Sequence, residues 1–244
     1  MSGLRKQDAW DHYFEYGGFP YAATLENEKV YRDYLLGIYN TVLLKDIVSR
    51  KNIKDITLLE SVTKFLFNNI GNTVSSKKIA DTLTSEGRKS NSVTVENYIK
   101  ALESSFILYK ARRFDVKGKN HLKSLEKYYI VDMGLRKVLV GDKKKDYGHI
   151  LENIVYLELI RRGYKVSIGK VDDKEIDFIA EKSGDIQYIQ VATTVLAPQT
   201  LERELTPLKD IKDNYPKMLI TLDKSSQGED GIKELNAIDW LLAD

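Results

Sequence analysis

Basic and amide side chains gather in two stretches of this sequence in the numbers needed to hold a polyanion. Arg88 and Lys89 precede a segment of helical period that carries Asn91, Asn97 and Lys100, while Arg112, Arg113, Lys117, Lys119 and Lys123 crowd a polar segment between two apolar runs. A helix of the first kind can enter a major groove, and basic loop residues of the second kind can bond phosphates. The positive charge is local: 38 Lys+Arg stand against 36 Asp+Glu, so no overall field draws the chain to nucleic acid. Other chemistries are poorly supplied. The absence of cysteine removes disulfides, thiolate zinc sites and cysteine nucleophiles together. His12, His121 and His149 lie far apart without ligand spacing and read as surface or packing residues. The run from Gly163 to Gly169-Lys170-Val171 approaches a phosphate-binding loop, but five residues intervene instead of four and Val171 replaces the magnesium-binding Ser or Thr. The fifteen tyrosines fall mostly at core spacing and offer no stacking platform for single strands.

The elements that must position these groups are legible from period and punctuation. With 244 residues, 42% of them hydrophobic and 30% charged, the composition is that of a folded protein of two domains. After the turn Gly17-Gly18-Phe19-Pro20, Val30, Tyr34, Leu35, Ile38, Val42 and Leu43 recur at helical spacing, which assigns residues 1–54 to a helical segment packing on the next domain. Leu58, Leu59, Val62, Phe65 and Leu66 mark a helix ending near Gly71; Ser75 caps a second through Ile79, Ala80 and Leu83; a third starts at Ser92 or Thr94. Phe106–Tyr109 and Lys127–Val131 then read as strands of a hairpin with the basic stretch 112–123 as its loop. Three helices and a basic-tipped hairpin make residues 55–141 a winged-helix domain. The charge run Asp142–Asp146 reads as a boundary. Beyond it, residues 142–244 have the order αβββαβ: a helix from Tyr147 to Arg162, strands at 165–168, 175–181 and 186–193, a helical stretch from Pro198 to Tyr215 that Pro207 must kink or restart, and a strand at 217–221. The expected fold class is α/β, with one mixed sheet between helices.

This C-terminal half resembles the PD-(D/E)XK, or restriction-endonuclease-like, fold. Members place a Glu on the first helix, an Asp on the second strand and acid-x-Lys on the third. Glu152 and Asp177, in Glu175-Ile176-Asp177-Phe178, match the first two, while Gln190-Val191-Ala192 stands at the third. Nearly the whole chain is similar to the C-terminal region that follows the P-loop domain in many bacterial and archaeal AAA-type ATPases. The carriers are Tyr16-Gly17-Gly18-Phe19-Pro20, Tyr34 to Ile47, Lys127 to Arg136, Gly148 to Glu152, Glu175 to Phe178 and Tyr188 to Ala192. The resemblance implies an ATPase domain upstream as partner, and Met1-Ser2-Gly3 reads as an added leader.

In such a site two or three convergent carboxylates hold Mg²⁺, which orients water and neutralises phosphate charge, while the lysine helps position or deprotonate the nucleophile. The resemblance therefore makes Glu152, Asp177 and Gln190 the remnant catalytic set, and Glu152 and Asp177 the ligands of a weak Mg²⁺ site. An amide at Gln190 offers one oxygen and no charge, and Ala192 offers nothing. Glu152 and Asp177 also read as a merely structural polar pair. Three functions fit these residues: a DNA-binding accessory region with lapsed cleavage; a metal-dependent nuclease using a further acid, Glu175 or Glu181; or a protein-interaction scaffold. No apolar run approaches the eighteen or so residues of a spanning helix, and Asp8, Asp11, Glu15 and Glu26 rule out a signal peptide, so a soluble cytoplasmic protein is expected. Oligomeric state stays open.

Overall fold

The computed structural model describes residues 5–122, 125–141, 146–225 and 228–243. The leader, Lys123 of the basic stretch and most of the boundary charge run lie outside the described residues. The elements in chain order are α1 (Lys6–Tyr16), α2 (Glu28–Tyr39), a π-helical stretch (Asn40–Ile47), α3 (Val48–Lys51), α4 (Ile56–Asn68), β1 (Thr73–Val74), α5 (Ser76–Ser85), α6 (Ser92–Glu103), β2 (Leu108–Ala111), β3 (Arg113–Asp115), β4 (Asn120–His121), β5 (Glu126–Ile130) and α7 (Met133–Val140). The chain continues through α8 (Tyr147–Arg161), β6 (Lys165–Val171), β7 (Lys174–Lys182), β8 (Asp185–Val191), α9 (Pro198–Lys209), β9 (Lys217–Thr221), β10 (Ile232–Asn236) and α10 (Ala237–Leu242). With about 49% helix and 22% strand the class is mixed α/β. The chain forms two compact units, Met1–Lys110 with Tyr128–Lys143, and Ala111–Lys127 with Lys144–Asp244.

In the first unit, side chains start the helices where the sequence supplies them. Asn27, Asp55, Ser75, Asn91 and Asp132 each accept from a backbone N–H of the first turn of α2, α4, α5, α6 and α7 respectively. Asn91 is thus the cap of α6, which begins at Ser92. The buried stripe of α2 is Tyr31, Leu35 and Tyr39, while Val30, expected inside, is 48% exposed. The π-helical stretch widens the turn after Tyr39, so a strict 3.6-residue period read through it slips out of phase. A three-stranded sheet in the order β1-β5-β2 interleaves in sequence with α4, α5 and α6.

The Tyr16-Gly17-Gly18 segment and the Asp132-Met133-Gly134 segment lock together. One Asp132 oxygen accepts from Gly18 N at 2.6 Å and the other from Leu135 N at 2.8 Å, while Tyr31 donates to Tyr16 O at 2.8 Å. A Cβ at Gly17, whose φ is +79°, would lie 2.4 Å from the Asp132 carboxylate, and one at Gly134 would lie 2.1 Å from Tyr16 O. Glycine is required at both because two backbones and a buried carboxylate meet there. Both segments are among the carriers of the ATPase-region resemblance, and both serve packing.

The second unit is built on a seven-stranded mixed sheet in the order β10-β9-β8-β7-β6-β3-β4. β6, β7 and β8 are antiparallel, and β8 and β9 parallel. Ser183 and Gly184 both have positive φ at the β7–β8 hairpin, as a two-residue turn of matching twist demands. The structure corrects two expectations. The stretch 112–123 is not a free loop: β3 within it pairs in parallel with β6, and Phe114 and Val116 pack on the core of Val171, Ile176, Leu205 and their neighbours. The alternation of Arg113 and Asp115 with Phe114 and Val116 is a strand signal masked by the surrounding charge. Pro207 does not restart the helix but lies in the last turn of α9, which ends at Lys209 rather than running towards Tyr215.

Candidate functional site

A β-bulge decides what β7 presents. Its pairing with β6 shifts register between Ser167 and Gly169, so an extra residue of β7 is accommodated there. Ile176 and Ile179 both join the apolar cluster with Leu205 and Leu208 of α9, whereas Phe178 meets Tyr156 of α8, ring centroids 5.9 Å apart. Strict alternation cannot place 176 and 179 on one face; the bulge does, and it leaves Asp177 and Phe178 together towards α8. On the β8 side, where the backbone ladder with β7 ends at Phe178–Ile189, side chains take over: Asp177 N donates to Gln190 Oε1 at 3.3 Å, and Val191 N donates to Asp177 Oδ2 at 2.9 Å.

On that face three carboxylates surround one ammonium. Lys127 Nζ, at the start of β5, lies 2.9 Å from Glu152 Oε1, 2.7 Å from Glu175 Oε1 and 3.7 Å from Asp177 Oδ1. Lys127 is 4% exposed and Glu152 6%, so the group is screened from water except where Glu175 opens to solvent. Burial alone would lower the Lys127 pKa, but Glu152, Asp177 and Glu175 outweigh it and hold the ammonium charged well above the usual lysine range. Asp177 moves up from the ordinary carboxylate value, first because burial disfavours its charge and next because Glu152 is close, with Lys127 and the Val191 N–H pulling the other way. Three acids and one lysine leave surplus negative charge if all ionise, so Asp177 is the member inclined to keep a proton.

This donor set does not fit a divalent ion. Lys127 stands within hydrogen-bond reach of Glu152 and Glu175, the two groups an ion would need beside Asp177, and an ammonium and a divalent cation cannot share that position. Among the described residues, no three His, Cys, Asp or Glu side chains are placed to hold a metal.

The structure places Glu152 and Asp177 around the same Lys127 ammonium, with Glu175 beside them. Gln190 shares its strand face with Tyr188 and Ala192, which pack under α9, and its Nε2 donates to Glu204 Oε2 at 2.9 Å. Glu204 in turn takes Arg203 at 2.7 Å, so the Gln190 amide serves a polar chain leading away from Lys127. Glu181 sits opposite Lys165 near the far end of β7 and is exposed. Sequence reasoning misses Lys127 because β5 reads as a plain apolar strand; a single lysine heading the otherwise buried run Tyr128–Ile130 is the signal that marks it.

The cationic candidates divide between the two units. Arg88, Lys89, Asn97 and Lys100 belong to the first: Arg88 Nη1 reaches Thr57 O at 3.5 Å, and Lys100 pairs with Glu96 at 2.7 Å on α6. Arg112, Arg113, Lys117 and Lys119 belong to the second. Arg112 and Lys119 are exposed, Arg113 is half-buried on β3 with its Nε lacking a hydrogen-bond partner, and Lys117 Nζ binds Asp172 at 2.5 Å.

No helix among the described residues is long and apolar enough to cross a membrane. No solved structure matches the chain significantly. A protein described as uncharacterized from Haemophilus influenzae is 44% identical over 234 residues, 96% of this chain and 58% of the relative. Another, described as uncharacterized protein MJ1544 from Methanocaldococcus jannaschii, is 26% identical over 179 residues, 73% of this chain and 38% of its own. The chain thus spans little more than half the length of the first relative and less of the second. The model of the family described as domain of unknown function (DUF8612) matches residues 7–146, more than half the sequence, and the chain belongs to that family.

Proposed function

We propose that this chain is a DNA-binding accessory region of an AAA-type ATPase, in which a winged-helix unit accompanies a nuclease-like unit that no longer cuts. The observation that carries the loss of cleavage is Lys127: its ammonium lies among Glu152, Glu175 and Asp177, where a phosphodiester-cutting centre would hold its metal. The tethered cation neutralises the carboxylates without the open coordination positions that orient water and phosphate. The order α8-β6-β7-β8-α9-β9, with three antiparallel strands and a fourth parallel to the third, supports a nuclease-like ancestry. The order α4-β1-α5-α6-β2-β5, with sheet order β1-β5-β2, supports a winged helix whose wing has been drawn out into β3 and β4. The relatives' unmatched length leaves room for the ATPase domain.

The test is a titration of labelled duplex DNA across salt, with and without Mg²⁺ or Mn²⁺, with electrophoresis of the DNA afterwards. Salt-sensitive binding with no scission is expected. Scission abolished by Glu152→Gln would replace this reading with that of a working nuclease.

A further inference from the structure

A groove of about 440 Å³ runs along α6 in the first unit, on the side of the turn between α3 and α4. Its lining includes Lys51, Asn52 and Lys54 from that turn and Thr94, Asn97 and Lys100 from α6. The turn is held in place by backbone geometry: Asn52 adopts φ +50°, Ile53 N bonds Val48 O, and Ile53 is buried, so Lys51 and Lys54 project on either side of an anchored residue. Tyr98 of α6 donates to Asp55 O at 3.3 Å, which ties the helix to the turn. Arg88 bonds Thr57 O just beyond, adding a further cation beside the same segment.

The charges on this surface do not cancel. Lys100 is matched by Glu96, and Asp55, exposed beside Lys54, is engaged in capping α4 through Leu58 N. Lys51 and Lys54 are exposed and have no carboxylate partner among the described residues. Cations on two segments of an open groove, with Asn52, Thr94 and Asn97 among them, suit an anion that repeats along a chain better than a single enclosed ion. We infer that this groove grips the sugar-phosphate backbone of duplex DNA, with Lys51 and Lys54 binding phosphates while Asn97 and Lys100 of α6 face the same duplex. This rests on the DNA-binding reading and extends it to residues on the α3–α4 turn.

The experiment compares the full chain with Lys51→Ala/Lys54→Ala, with Lys51→Arg/Lys54→Arg and with Lys119→Ala, using a labelled random-sequence duplex over a salt series; melting curves verify the fold. Loss of two phosphate contacts is expected to weaken binding roughly ten-fold or more near physiological salt and to make the salt slope shallower by about two, with the arginine pair close to the parent. Affinity and slope unchanged in the alanine pair, with duplex still bound by the parent, would overturn the groove while leaving the DNA reading standing. No salt-sensitive binding by the parent would overturn both. Polyglutamate displacing the duplex as well as unlabelled DNA does, at equal charge, would overturn the assignment to a nucleic-acid backbone.

Discussion

Lys127 Nζ lies 2.9 Å from Glu152 Oε1, which joins the first residues of β5 to the helix α8 through a buried ion pair. The pair is part of a group with Glu175 and Asp177, and its character as an internal cation gives the molecule measurable properties.

Removing the ammonium leaves carboxylates buried without compensation. Lys127→Met is expected to destabilise the second unit by about 3–5 kcal/mol, the range found when one partner of a buried pair is deleted. Added Mn²⁺ or Mg²⁺ should raise the melting temperature of this variant and leave the parent's unchanged, because only the variant has room for the ion. Differential scanning calorimetry with and without metal makes the comparison.

The raised Lys127 pKa fixes the sign of its pH dependence. Stability contributed by a group whose folded pKa is raised is complete below the unfolded value, here the ordinary 10.5, and is lost as pH rises through the folded value. Denaturant unfolding of parent and Lys127→Met should therefore differ in full just below about pH 10.5 and draw together as pH rises above it.

Asp177 shows the opposite burden. Its folded pKa is raised above the ordinary 3.8, so protonation favours the folded state, and stability is lost as pH climbs from that value towards the folded one. Asp177→Asn keeps an oxygen for the Val191 N–H and carries no charge. Its stability relative to the parent should improve as pH rises from about 4 into the neutral range, read from chemical unfolding at a series of pH values.

In the first unit, Gly17→Ala forces a Cβ to within 2.4 Å of the Asp132 carboxylate at a φ that L residues rarely adopt. A loss of about 2 kcal/mol or more is expected from strain and the displaced bond to Gly18 N. Gly87→Ala, whose added Cβ meets open space, should cost only about 1 kcal/mol, the penalty of its positive φ. Thermal melts of the two variants side by side measure this.

The pattern of elements was largely legible because caps and periods are local. Ser75 and Gly163 mark ends that the chain uses, and the αβββαβ order comes from strand punctuation. Distant partners set the features that escape such reading. Lys127 has meaning only beside Glu152, Glu175 and Asp177, and the bulge that turns Asp177 towards α8 is invisible to a period of two. Phe114 and Val116 are hidden among cations, and β10 needs β9 as a template before Ile232–Asn236 can read as a strand. The family resemblance groups Gln190 with the acids, but Tyr188 and Ala192 show which way its face turns.

The most direct test of the tethered-cation account is Mn²⁺ binding by calorimetric titration of parent and Lys127→Ala at neutral pH, alongside incubation of each with plasmid. The account predicts no saturable Mn²⁺ site and no scission for the parent, and a new site in the variant that Glu152→Gln removes. A stoichiometric Mn²⁺ site in the parent, accompanied by plasmid cutting that Asp177→Asn abolishes, would contradict it.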